Sequence, residues 1–147
     1  MAKELDRRLL QAVSEILRAF KMTEEDLSGS GQCEPLSPPE AETLYFVGDH
    51  PDCIASDVSR YLDVVPTTAS SIIDRLVRRG LLSRVRPEDN RRVIRLRLTQ
   101  NGLKVRGLIF DHQLANCTAM LKALKSDEQK IFVDLMTKIA SKVSRTS

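Results

Sequence analysis

The chain has 147 residues, the usual size of one domain, and its 41% hydrophobic and 29% charged residues exclude a wholly disordered protein. Aromatic residues make up only 4% and Trp is absent, which argues against a carbohydrate-binding platform or an aromatic base-stacking sheet. The formal net charge of +3 excludes little until it is divided along the chain.

The first part of the chain is predicted to be helical, with one long connector. Apolar side chains recur at three- and four-residue steps over residues 3–21, which predicts an amphipathic helix. The stretch TEEDLSGSGQCEPLSPPE is rich in Ser, Gly, Pro and acid, so we expect a connector outside the core. Ser37 is then the predicted N-cap of a second helix, with two prolines in its first turn and an end near Gly48. A short third helix follows a turn at His50 and Pro51.

The fourth helix is predicted over Pro66–Arg79, where three local features agree. Pro66 suits the first turn, apolar residues follow at helical spacing, and Gly80 lies where a left-handed cap is needed. Two short alternating runs around a polar turn at residues 87–90 then predict a β-hairpin. Two amphipathic helices complete the chain, with Thr99 and Ser126 as their expected N-caps.

Three helices followed by a hairpin form the winged helix-turn-helix arrangement. We therefore expect a mainly α fold with a small two- or three-stranded β wing, and assign the winged module to residues 38–99. The first and last helices have apolar faces that one small domain does not cover. Residues 1–37 and 100–147 are accordingly predicted to form a helical dimerisation region.

The charge is strongly segregated along the chain. Residues 1–59 have net charge −7, residues 60–106 have +8 and residues 107–147 have +2. In the basic segment, 11 of the 12 positive residues are Arg, which bonds phosphate and guanine edges better than Lys does. This segment covers the fourth helix and the hairpin, so the distribution favours double-stranded DNA as a partner.

Candidate DNA-contacting residues lie on the outward face of the fourth helix and in the wing. The helix offers small hydroxyl side chains and two arginines: Thr67, Thr68, Ser70, Ser71, Arg75 and Arg78. The wing offers Arg86, Arg91 and Arg92, since Arg at a wing tip suits a narrow minor groove. A merely solvated polar helix face remains the alternative, and Asp89 is either an ion-pair partner for a tip arginine or a turn residue.

The pattern resembles the MarR family of winged helix-turn-helix transcriptional regulators over nearly the whole chain. The resemblance is carried by LSPPEAETLYFVG, ASDVSRYLDVVPTTASSIIDRLVRRGLL and RPEDNRRVIRLRLTQNG. It implies a homodimer on a pseudo-palindromic operator, with the fourth helix in the major groove and the wing in the minor groove. The family has Asp-x-Arg at the wing tip, with its Arg seven residues before the Thr of the LT motif. That spacing selects Arg92 first, with Asn90 in place of the acid, and Arg91 second, behind Asp89.

The resemblance also implies a small phenolic or anionic effector, bound where the dimer helices meet the winged lobe. The candidate residues are Phe20, Tyr45, His50 and His112, each of which is otherwise an ordinary core or surface residue.

Cysteine and metal chemistry are weaker hypotheses. Cys33 in the connector and Cys53 before the short helix are redox candidates, the latter because a helix N-terminus lowers a thiol pKa. Cys117 is expected in the core. Residues 49–53 include metal-capable groups, but no second ligand pair follows them, so neither a metal site nor a cofactor is expected.

The sequence thus predicts a DNA-binding regulator, specifically a ligand-responsive repressor. Alternatives are a winged-helix protein-interaction adaptor without DNA binding, or a redox- or metal-sensing variant of the regulator. No Gly-rich phosphate loop, GxSxG or HExxH is present, so an enzyme is not expected. Three cysteines, no leader-like apolar start and no long apolar run favour a soluble cytoplasmic protein without a membrane partner.

Overall fold

The computed structural model describes residues 1–32 and 34–144. Within them, the chain forms six α-helices and one two-stranded antiparallel sheet, so the mainly α fold with a small wing is confirmed. The elements in chain order are α1 (Ala2–Ala19), α2 (Pro38–Asp49), α3 (Ala55–Leu62), α4 (Pro66–Arg78), β1 (Leu82–Val85), β2 (Arg95–Leu98), α5 (Gln100–Lys122) and α6 (Ser126–Val143). No helix among the described residues is both long and apolar enough to span a membrane.

The start of α2 follows the predicted capping chemistry. The hydroxyl of Ser37 accepts a hydrogen bond from the Glu40 N–H at 3.4 Å, and the Glu40 carboxylate accepts one from the Ser37 N–H at 2.9 Å. Two otherwise unpaired backbone donors are satisfied in this way, with prolines at the first two helical positions.

The faces of α4 are as predicted. Ala69, Ile72, Ile73 and Leu76 are buried against the lobe, and the helix ends before Gly80. Gly80 has φ +72°, the left-handed conformation that disfavours residues with a Cβ. The N-terminus of α4 has no side-chain cap; Pro66 has no N–H, and the Thr68 N–H donates to the Val65 carbonyl at 3.0 Å.

The wing is a hairpin extended by one bridge from outside it. Strand β1 pairs with β2 from Leu82 opposite Leu98 to Val85 opposite Arg95. An isolated bridge also joins Cys53 to Leu96, whose N–H donates to the Cys53 carbonyl at 2.8 Å.

The base of the wing is bonded to the start of α5 through four residues, here called the Thr99 junction: Gly80, Leu81, Thr99 and Gly102. The Thr99 hydroxyl donates to the Gly80 carbonyl at 2.6 Å and accepts from the Gly102 N–H at 2.9 Å. The Thr99 N–H donates to the Leu81 carbonyl at 3.1 Å. A Cβ at position 102 would overlap that same carbonyl, so only glycine allows this approach. The predicted capping role of Thr99 is confirmed.

The connector contributes to the core, contrary to the sequence-based expectation. Leu27 is fully buried and Leu36 nearly so, both in the cluster built around α2 and α4. A short 3-10 helix, Glu25–Leu27, and a hydrogen bond of 2.6 Å from the Ser30 hydroxyl to the Leu27 carbonyl shape this segment. An isolated leucine in a polar stretch has no periodicity, which is why sequence analysis missed it.

The described chain divides into two compact units, of which the first is Met1–His112 and the second begins at Gln113. In the second unit, Lys125 rather than Ser126 is the N-cap of α6, and its N–H donates to the Glu128 carboxylate at 2.8 Å. No described residue of this unit is buried. Cys117 is accordingly exposed, and the expectation that it lies in the core was wrong for this chain.

Candidate nucleic-acid interface

The outward face of α4 is fully accessible. All six candidate residues on it are exposed, while the opposite face of the helix packs in the core. The Ser71 hydroxyl donates to the carbonyl of Thr67, one turn back, at 3.1 Å. The exposed side chains are Thr67, Thr68, Ser70, Ser71, Arg75 and Arg78.

The structure separates the arginines of the basic segment into two groups. Six are paired with carboxylates: Arg60 with Asp57, Arg75 and Arg79 with Glu40, Arg84 with Asp74, Arg97 with Asp52, and Arg106 with Asp49. The other five form no ion pair with any described residue. These five, here called the unpaired arginines, are Arg78, Arg86, Arg91, Arg92 and Arg95.

Four of the unpaired arginines were sequence candidates, and three of those belong to the tip of the wing. Arg86 donates to the Arg91 carbonyl at 2.9 Å across the tip. The Arg92 N–H donates to the side-chain oxygen of Asn90 at 3.3 Å, within the turn before Arg92. Asp89 forms no ion pair with a described residue, so the predicted pairing with a tip arginine is absent there.

Arg97 differs from the unpaired arginines because its charge is neutralised by a nearby carboxylate. Its Nε and Nη2 lie 2.5 and 3.0 Å from the two carboxylate oxygens of Asp52. These hydrogen bonds lower the pKa of Asp52 and raise the pKa of Arg97. The positive charge of Arg97 is therefore balanced within the lobe before any partner arrives.

The sequence analysis missed a buried carboxylate beneath α4. Glu40 is 5% exposed and lies between Arg75 and Arg79, with N–O distances of 3.3 and 3.4 Å. Arg79 also donates from Nε to the Gln32 side chain at 2.8 Å. The capping pattern that begins at Ser37 indicates a role for Glu40 at the start of α2, but it does not indicate the ion pairs with Arg75 and Arg79.

The effector candidates His112 and His50 have different surroundings. His112 has its Nε2 3.0 Å from the Phe20 carbonyl oxygen and its Nδ1 3.3 Å from Asp26, whose pKa is lowered mainly by the Thr23 N–H. His50 instead stacks on Phe46 and lines an open groove of about 700 Å³, which does not include Phe20, Tyr45 or His112.

Tyr45 lies under another arginine. The Arg106 guanidinium is 5.1 Å from the centre of its ring, and burial is the main cause of a raised Tyr45 pKa. Tyr45 is therefore an effector candidate with a cation over its ring.

The surroundings of Cys53 do not favour the predicted reactivity. Its side chain is 8% exposed, and burial raises its thiol pKa to about 11, with Asp57 adding to the effect. Desolvation thus outweighs any lowering by the start of α3. Cys33, the other redox candidate, lies outside the described residues. Among the residues that are described, no group of three or more His, Cys, Asp or Glu side chains is arranged to hold a metal ion.

Taken with the accessible face of α4, the fold defines a winged helix-turn-helix protein. Residues 34–93 match the model of the MarR family. The match covers less than half of the chain, and over that segment the sequence is similar to the MarR family of transcriptional regulators.

Individual relatives are distant in sequence. The uncharacterised HTH-type transcriptional regulator YwhA of Bacillus subtilis (strain 168) is 21% identical over 97 residues, which span 66% of this chain and 70% of YwhA. Streptococcus pneumoniae FabT, solved in complex with DNA, is 23% identical with a TM-score of 0.78 over 100% of both chains. PcaV of Streptomyces coelicolor is 27% identical with a TM-score of 0.67 over 98% of both chains. The structure of PcaV with its natural ligand gives a TM-score of 0.60, over 95% of this chain and 91% of that one.

Proposed function

We propose that this chain is a sequence-specific DNA-binding repressor that acts as a homodimer on a pseudo-palindromic operator and responds to a small ligand. The observation that carries the proposal is the placement of the unpaired arginines. Of the eleven arginines in residues 60–106, the five without a carboxylate partner among the described residues all lie on the last turn of α4 or in the hairpin.

Arginines without a carboxylate partner, concentrated at the end of α4 and in the hairpin, favour a polyanion as the binding partner. Each that contacts a DNA phosphate releases a condensed counterion, which supplies binding free energy. In this proposal, Arg78 contacts the backbone beside the major groove. Arg92, with Arg91 as the second choice, enters the minor groove, and Arg86 supports the tip.

The face of α4 suits the major groove. Thr67, Thr68, Ser70 and Ser71 are short, so the helix can approach base edges closely, and their hydroxyls bond either bases or phosphates. FabT, a protein of the same fold, has been solved in complex with DNA.

The terminal helices support a homodimer. Helix α1 buries none of its residues, and its apolar side chains, such as Leu9 and Leu17, are 63% and 68% exposed. Helix α6 likewise leaves Ile131 and Ile139 more than half exposed. We assign residues 1–37 and 100–147 to dimerisation and 38–99 to DNA binding. Two copies of α4 then have to lie about 34 Å apart to enter successive major grooves.

Ligand response follows from that spacing requirement. The dimer has one state whose α4 spacing fits DNA and another whose spacing does not. A small phenolic or anionic molecule that binds the second state more tightly lowers the DNA affinity, and the ratio of its affinities for the two states sets the size of the effect. Tyr45, beside the Arg106 cation, and the linked pair Phe20 and His112 are the residues we assign to effector binding. PcaV, a relative, has been solved with a natural ligand.

In vitro selection tests the DNA proposal directly. The purified protein is used to select duplexes of about 30 base pairs, long enough for two half-sites one turn apart, from a random library. We expect an inverted repeat whose affinity falls steeply as salt is raised. Failure to enrich any sequence, together with a flat salt dependence, would favour the adaptor without DNA binding.

A further inference from the structure

A buried carboxylate lies directly beneath the DNA-facing arginines of α4. We propose that Glu40 is a positioning residue, which holds Arg75 in the conformation that contacts DNA. The proposal rests on the DNA binding proposed above. It concerns a side chain on α2, outside both the recognition helix and the wing.

Glu40 has more contacts than its capping role requires. Its Oε2 accepts from the Ser37 N–H at 2.9 Å, lies 3.4 Å from Arg79 Nη1, and its Oε1 lies 3.3 Å from Arg75 Nε. Glu128 has the same capping position in α6 but is exposed and forms no ion pair with a described residue. A helix cap alone therefore does not explain a carboxylate that is 5% exposed and shared by two arginines.

The two arginines have different roles around this carboxylate. The Arg79 side chain is 20% exposed and is directed toward the connector, where it bonds the Gln32 side chain and the Glu34 carbonyl. The Arg75 side chain is 51% exposed and lies on the outward face of α4. Arg79 thus anchors the buried charge, while Arg75 is held by it and remains available to a partner.

The contact atom matters for this role. The ion pair with Glu40 is made by Arg75 Nε, and the terminal Nη groups are the strongest remaining donors for a phosphate or a guanine edge. Arg78, three residues further along the same helix, forms no ion pair with a described residue. Because Arg75 is ordered before DNA arrives, binding does not have to order it. The expected gain is about two- to tenfold in affinity per arginine.

The variant Glu40→Gln tests the proposal, with Glu42→Gln as its matched control. Both variants remove one negative charge from α2, but Glu42 is exposed. The probe is the duplex selected by the wild-type protein, and affinity is measured by fluorescence anisotropy. Because the homodimer has two copies of Arg75, we expect Glu40→Gln to weaken binding by about four- to 100-fold, although its net charge favours DNA, and Glu42→Gln to stay within about twofold.

A double-mutant cycle separates positioning from general support of the fold. Arg75→Ala should weaken binding at least as much as Glu40→Gln, and the combined variant should be no weaker than Arg75→Ala alone. Unchanged or tighter binding by Glu40→Gln would overturn the proposal, since it would show that Glu40 competes with DNA for Arg75. Additive losses would overturn it too, because Glu40 would then act independently of Arg75.

A second variant covers the case in which Glu40→Gln does not fold. Arg75→Lys keeps the exposed positive charge. Lysine has a single terminal ammonium group and no Nε, so it cannot pair with Glu40 and present separate donors to DNA at the same time. It should lose affinity by a factor similar to that of Glu40→Gln, and full affinity would overturn the proposal. A wild-type protein that binds no duplex would instead reject the DNA-binding function itself, and this role with it.

Discussion

Replacing Arg92 with alanine should weaken DNA binding and flatten its salt dependence. Arg92 is exposed and has no carboxylate partner among the described residues, so each chain loses one uncompensated positive charge and a homodimer loses two. With about 0.9 counterions per phosphate contact, the slope of log affinity against log salt should fall by about 1.8. If each contact contributes about tenfold, the dimer loses about 100-fold in affinity near 0.1 M salt.

The assay is anisotropy on the selected duplex, titrated at salt concentrations from about 50 to 200 mM. The control is the double variant Asp52→Asn with Arg97→Gln, which also removes an arginine from the wing. In the wild type, Arg97 Nε lies 2.5 Å from the Asp52 carboxylate, so the Arg97–Asp52 pair adds little net charge to the surface. We expect the control to stay within about twofold of wild type, with an unchanged slope.

Two results would refute this reasoning. Full affinity and an unchanged slope for Arg92→Ala would place Arg92 away from DNA, and Arg91→Ala would then test the alternative position. A loss in the control equal to that in Arg92→Ala would show that paired and unpaired arginines contribute alike. The placement of the unpaired arginines would then carry no information about the DNA-facing surface.

The remaining predictions concern assembly, packing and cysteine reactivity. In sedimentation, the wild type should have about twice the 16.5 kDa chain mass. Replacing Leu135, which is 52% exposed on α6, with Asp should give a monomer, and a wild-type monomer would contradict the dimer. In thermal melts at fixed protein concentration, Gly107→Ala should stabilise the fold by about 0.5 kcal/mol, because its Cβ meets open space in a helix. Gly102→Ala should destabilise it, because its Cβ overlaps the Leu81 carbonyl, and equal melting temperatures would show that the junction relaxes freely. At pH 8, a thiol of pKa about 11 is about one part in a thousand thiolate, so iodoacetamide should leave Cys53 unmodified until the protein is unfolded. Rapid labelling of Cys53 in the native protein, read by mass spectrometry, would show that its burial is not maintained.

The parts of the fold that were predictable have local causes. Helix α4 begins at Pro66, repeats its apolar residues every three or four positions and ends before a glycine of positive φ, all of which are visible within fifteen residues of sequence. The capping by Ser37 and Thr99 is equally local, since each hydroxyl bonds an N–H three residues ahead.

The parts that were missed depend on residues distant in the sequence. Glu40 meets Arg79 across 39 positions, and Asp52 meets Arg97 across 45, so no spacing rule indicates which arginines are paired. Burial of Leu27 and Cys53 likewise depends on elements that pack around them from elsewhere in the chain. Composition therefore located the basic segment, but only the tertiary structure showed which of its charges are uncompensated.

The Thr99 junction also decides where this chain can be recombined with a relative. In a hybrid with a crossover between residues 99 and 100, Thr99 comes from one parent protein and Gly102, whose N–H donates to the Thr99 hydroxyl, comes from the other. The close contact between position 102 and the Leu81 carbonyl, which only glycine allows, is then also formed by residues from two different parents. The residues that share one core extend from Leu27 to Ile109, beyond the DNA-binding segment 38–99 at both ends. A hybrid regulator with crossovers outside 27–109 therefore inherits its wing, recognition helix and junction as one interchangeable part.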